Sequence, residues 1–171
     1  PVLGNKTRTN CDLFPKPRKV FKTVQVCHNW RMEEQNVVLT GFMGTGKSTV
    51  GRLLAVQLGC AFVDTDELIV ARDGRSIADI FREDGETAFR NWEARIAQEL
   101  AGQSGLVIAT GGRLMLDEGN AAALGENGRV FCLTAIPETI LARLQNDGGR
   151  RPLLDVPEPA RQIARVLAER R

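Results

Sequence analysis

Residues 41–48 read GFMGTGKS, which sets Gly41, Gly46, Lys47 and Ser48 in the pattern G-x-x-x-x-G-K-[ST]. Glycines tolerate positive φ, so main-chain N–H groups there can turn inward around phosphate oxygens. A helix beginning at such a loop aims its positive end at the same point. The lysine ammonium reaches β- and γ-phosphates, and the Ser48 hydroxyl is a ligand for Mg²⁺. Four such positions coincide by chance in roughly one chain in a hundred of this length. The flanking context also fits, since the apolar run VVLTG precedes the loop and a helical pattern follows. The loop therefore predicts a nucleoside triphosphate site, with Gly44, Thr45, Gly46, Lys47, Ser48 and Thr49 around the phosphates. It does not say what receives the phosphoryl group, because ATPases, GTPases and kinases share it.

Three further groups could serve an acceptor. Asp64 and Asp66 in VDTDE are two residues apart; on an extended chain they share one side, about 7 Å apart. One carboxylate can then join a metal's shell while the other reaches a hydroxyl. Arg90 lies about 100° around a helix from Phe89, at the border of the apolar stripe Phe89, Trp92, Ile96 and Leu100. Arg150 and Arg151 precede Pro152 and follow QNDGG, a turn-forming stretch, as in a mobile lid that carries cations. Taken singly, each has an ordinary reading as solvated surface charge.

The elements that must position these groups alternate. VVLTG reads as a short buried strand, and CAFVDTD, GLVIATGG and RVFCLTA as three further strands. Between the first two, Val50, Leu53, Leu54 and Leu58 recur at helical spacing, and Gly59 stops the helix. Pro137 and Pro159 stand where proline favours the first helical turn. Such alternation predicts an α/β fold with a parallel sheet covered on both faces. Ligands collect at the carboxyl ends of its strands, which is where residues 41–48, 64–66 and 111–112 fall.

The bulk numbers agree with one enzyme-sized domain. The chain has 171 residues with 43% hydrophobic and 26% charged content. Residues 1–35 hold seven Lys/Arg against three Asp/Glu, leaving −2 on residues 36–171, so no broad basic field suggests a nucleic-acid partner. No apolar run approaches the ~20 residues of a membrane span. Residues 1–35 lack periodicity and are read as a flexible basic extension, with 36–171 as the folded domain. Cys60 and Cys132 lie in or beside apolar runs and are expected to be small buried hydrophobes in a reducing cytoplasm.

In order, GFMGTGKST, DTD, GETAFR, ATGG, RRPLL and LAER resemble the motifs of the shikimate kinases. The resemblance runs from about Val37 to the last residue. It implies a three-layer αβα P-loop kinase fold, similar to the nucleoside monophosphate kinases, with strand order 2-3-1-4-5. It implies transfer of a phosphoryl group from ATP, with Mg²⁺, to the 3-hydroxyl of shikimate by a cytoplasmic monomer. Carried over by motif, Lys47, Asp66 and Arg151 would be catalytic. Ser48 and Asp64 would serve the metal, and Arg143 and Arg151 the nucleotide. Asp66, Arg90, Arg170 and the N–H groups of Gly111 and Gly112 would hold the acceptor.

The match departs in two places. Arg113 stands where the family has a third glycine, and is read as a tolerated variant whose side chain leaves the cleft. No residues after Arg171 supply the family's fifth strand and closing helix, so the expectation is a four-strand sheet in order 2-3-1-4 and a chain truncated at this end. The alternatives are a related small-molecule kinase, such as a gluconate kinase, or a non-catalytic nucleotide-binding relative.

Overall fold

A computed structural model describes residues 35–146 and 157–169. The expectations for the N-terminal extension and for Arg150, Arg151 and Arg170 lie outside these residues. Four strands form one sheet: β1 (Asn36–Gly41), β2 (Ala61–Asp64), β3 (Leu106–Ala109) and β4 (Gly128–Leu133). All pairings are parallel and the order is β2-β3-β1-β4, as expected. Val38 sits opposite Ile108 on one side and Val130 on the other. The central strands carry continuous apolar runs, because helices on both sides of a parallel sheet bury both of its faces.

The helices are α1 (Lys47–Leu58), α2 (Thr65–Asp73), α3 (Ile77–Glu83), α4 (Gly85–Ala101), α5 (Glu118–Glu126), α6 (Pro137–Asn146) and α7 (Pro159–Glu169). Both prolines open helices as anticipated, and Gly59 ends α1 in the left-handed conformation at φ 68°. The main core joins Ile96 and Leu100 of α4 to Ile69, Ile80, Ile108 and Leu124. A second cluster seats Phe42, just past β1, against Ile140, Leu144 and Ile163 of α6 and α7. Buried Asn36 closes the far end of the sheet. Its amide donates to the Gln103 carbonyl at 2.8 Å and its oxygen accepts the Leu106 N–H at 3.0 Å.

Two sequence expectations need correction. The buried residues of α1 are Gly51 and Ala55, whereas Val50, Leu53 and Leu58 of the apolar stripe are exposed. Close approach to the sheet explains this: a Cβ on Gly51 would lie 2.4 Å from the Phe62 ring, so only a small residue fits. Cys60 and Cys132 are not fully buried either. Cys132 is exposed on β4 and Cys60 is half-buried, with burial pushing its thiol pKa up.

Gly41 marks where β1 must turn into the glycine loop. Its φ is 133°, and a Cβ there would stand 2.3 Å from the Leu133 carbonyl oxygen of β4. Gly59 has positive φ too, but open space around it. Gly41→Ala should therefore destabilise the protein by more than about 2 kcal/mol in urea unfolding, and Gly59→Ala by only about 1–2 kcal/mol. Equal losses would show that the β4 contact is unimportant.

Candidate nucleotide and acceptor site

The glycine loop is closed on itself by one carbonyl. The Phe42 oxygen accepts the Thr45 N–H at 3.3 Å, the Thr45 hydroxyl at 2.7 Å and Lys47 Nζ at 3.1 Å. Lys47 Nζ also donates to the Gly41 carbonyl at 2.9 Å. Gly44 and Gly46 hold φ of 74° and 98°, which a side chain would resist. Gly46 is the N-cap of α1 and offers no side-chain cap, whereas α2, α3 and α5 are capped by Asp64, Ser76 and Asp117. First-turn N–H groups have no intrahelical acceptor, so α1 presents an anion-seeking end at Ser48 and Thr49. The Thr45 hydroxyl and N–H are both engaged by the Phe42 carbonyl, making Thr45 a strut of the loop. Arg143 of α6 lies against this loop, with Nη1 donating to the Gly44 carbonyl at 3.0 Å.

The neighbouring acidic pair is not arranged as an extended chain would have it. β2 ends at Asp64, and Asp66 already belongs to the first turn of α2. The cause is local, since Asp64 Oδ1 accepts the Asp66 N–H at 3.1 Å and so caps the helix. Its other oxygen accepts the Ser48 hydroxyl at 2.6 Å. This bond bridges the start of α1 to the end of β2 across the intervening strand β3.

Asp66 lies in the first turn of α2. Its Oδ1 is buried and has no hydrogen-bond partner among the described residues. Burial pushes its pKa up to about 6, helped by the nearby charges of Asp64 and Glu93, while Lys47 and Arg90 pull it down. Gly111 explains how the carboxyl fits: a Cβ there would stand 2.6 Å from Asp66 Oδ1 and 3.2 Å from Glu93 Oε1. The Gly111 N–H donates to the buried Thr65 hydroxyl at 2.8 Å. That N–H is engaged within the protein, and the missing side chain of Gly111 makes room for the two carboxyl groups.

Arg90 is held from two sides. Its Nη1 donates to Glu93, and its Nε and Nη2 donate to Glu86 Oε1 at 3.2 and 3.0 Å. Glu93 sits on the buried face of α4, four residues from Phe89 and three from Ile96. Burial raises its pKa, and the Arg90 guanidinium opposes that rise. Arg113 Nη1 reaches Glu86 Oε1 at 3.0 Å. Glu93, Glu86 and Thr65 are site neighbours that the sequence reading missed. An acid at a core position of the α4 stripe was the available signal for Glu93. No comparable signal marked Glu86 or Thr65.

No described helix is long and apolar enough to cross a membrane. The shikimate kinase family model matches residues 43–171. The shikimate kinase of Symbiobacterium thermophilum is 47% identical over 137 residues, covering 80% of this chain and 79% of that protein. That of Geobacter sulfurreducens is 49% identical over 136 residues, covering 80% and 75%. Among solved structures, shikimate kinase from Acinetobacter baumannii in complex with shikimate superposes with a TM-score of 0.74 at 38% identity, covering 81% of this chain and 77% of that one. With its P-loop, its strand order and its ordered motifs, the chain belongs to the shikimate kinase family, whose members are ATP-dependent kinases.

Proposed function

We propose that this protein transfers the γ-phosphoryl group of ATP to the 3-hydroxyl of shikimate, in the biosynthesis of aromatic amino acids. The observation that carries this reading is the buried Asp66 Oδ1, unpartnered among the described residues and set between the influence of the Lys47 and Arg90 cations. A hydroxyl that donates to this oxygen is oriented and readied to lose its proton. Arg90 suits the acceptor's carboxylate because a guanidinium fork bonds both oxygens at once. Lys47 and the first-turn amides of α1 hold the phosphates. Ser48 and Asp64 fit Mg²⁺ as two hard oxygen donors already 2.6 Å apart. When bound, that ion neutralises phosphate charge. Arg151 as a lid residue, Arg170 as a second carboxylate partner and Arg143 at the adenine belong to the same proposal. So do action as a cytoplasmic monomer and the absence of nucleic-acid and membrane partners.

A coupled ADP-release assay with shikimate, with gluconate and with no acceptor tests the reading. Turnover that depends on shikimate is expected. Acceptor-independent turnover, or use of gluconate in place of shikimate, would overturn it.

Arg90 supplies a sharper arm. Arg90→Ala would strip the partner from buried Glu93 as well as from substrate, mixing stability with binding. Arg90→Lys keeps a cation beside Glu93 and loses the fork. It should raise KM for shikimate by roughly ten- to a hundredfold, a loss of about 1.4–3 kcal/mol, and leave KM for ATP within about twofold. Equal losses for both ligands in steady-state kinetics would remove Arg90 from the acceptor site.

A further inference from the structure

We propose that Arg113 is a positioning residue that holds Glu86 while Arg90 turns to the acceptor's carboxylate, an inference that rests on the function proposed above. Glu86 Oε1 takes hydrogen bonds from Nε and Nη2 of Arg90 and from Nη1 of Arg113. The remaining terminal nitrogen of Arg90 is bonded to Glu93. Every nitrogen of the Arg90 guanidinium therefore already faces a protein carboxylate. To grip a substrate carboxylate with two parallel bonds along its Nε–Nη2 edge, Arg90 must release Glu86, which holds that edge.

The two carboxylates are not equally able to leave. The Glu93 side chain is 3% exposed and that of Glu86 54% exposed. Releasing Glu93 would strand a charge in the interior, whereas Glu86 needs only to swing in solvent. Once Arg90 lets go, Glu86 would still stand beside the incoming anion and repel it. Arg113 prevents this, because it bonds the same oxygen from the loop after β3 and keeps the carboxylate both neutralised and turned aside. Arg113 is also close enough to lower the pKa of Glu93, which places its charge at the acceptor pocket and not merely on remote surface. The position where this chain departs from a glycine triplet thus carries a device for freeing Arg90.

The test is a double-variant cycle in the full chain. Kinetics and melting temperature are measured for Arg113→Gln, Glu86→Gln, the pair together, and Arg113→Lys. Arg113→Gln should raise KM for shikimate about three- to fivefold, the size of one exposed charge pair. Its kcat and KM for ATP should stay within about twofold. In the Glu86→Gln background the same substitution should do nothing further, and Arg113→Lys should restore most of the wild-type KM. An unchanged KM, or the same rise with Glu86 already neutral, overturns the proposal. A wild-type enzyme that ignores shikimate would sink the functional reading and this inference with it; an active enzyme whose two substitutions simply add would sink the inference alone.

Discussion

Asp66→Asn should reduce kcat by roughly a hundred- to ten-thousandfold, the range for a lost general base, while making the protein more stable at neutral pH. Both effects come from one carboxyl. In the folded chain its pKa is pushed up to about 6 from an ordinary 3.8, because Oδ1 is buried without a partner and two acids stand nearby. Between pH 4 and pH 6 the native state keeps a proton that the unfolded chain has already lost. Raising the pH across this window therefore favours unfolding, and the destabilisation persists above pH 6. Asparagine has no proton to give up. The stability gap between variant and wild type should open from about pH 4 and level off above pH 6, at up to about 3 kcal/mol. Urea unfolding at a series of pH values measures it. In parallel, kcat/KM of the wild type should climb through an apparent pKa near 6 as the base ionises, and this limb should vanish in the variant. A flat profile, or an asparagine variant less stable than wild type at pH 7.5, would contradict the assignment.

Lys47→Ala should lose at least about 10²–10³ in kcat, as when a preorganised charge at the reacting group is removed. KM for ATP should rise as well. The structure adds a stability component that sequence alone does not suggest. Lys47 Nζ bonds the carbonyls of Gly41 and Phe42, so its removal should also loosen the loop by about 1–3 kcal/mol. A melting temperature a few degrees lower with unchanged far-ultraviolet circular dichroism is the expected signature. A variant retaining more than a tenth of the activity would show that the lysine is not at the transferring phosphate.

What could be read from the sequence, and what could not, divides by range. The loop at residues 41–48 was legible because its chemistry is contiguous. The strand order was legible through the resemblance, since no local pattern states which strands pair. Asp64 and Asp66 were recognised but misarranged, because the side chain of one caps the helix that holds the other. That choice depends on where β2 stops. The outward-facing stripe of α1 misled because its buried face is made of Gly51 and Ala55, residues that register weakly in any hydrophobic pattern. Glu93 and Glu86 were missed for a different reason. They matter through Arg90, which gathers them from four and three residues away on α4, and only the added contact of Arg113 with Glu86 spans 27 residues.

Phe42 has a consequence for how the molecule works as a machine. Its ring is lodged with Ile140, Leu144 and Ile163 of α6 and α7, and its carbonyl gathers Thr45 and Lys47. A single residue is thus both a hinge pin and a clasp. Helices α6 and α7 pack on the side chain of the residue whose carbonyl shapes the glycine loop. The packing of that flank and the shape of the glycine loop are therefore tied together through one residue.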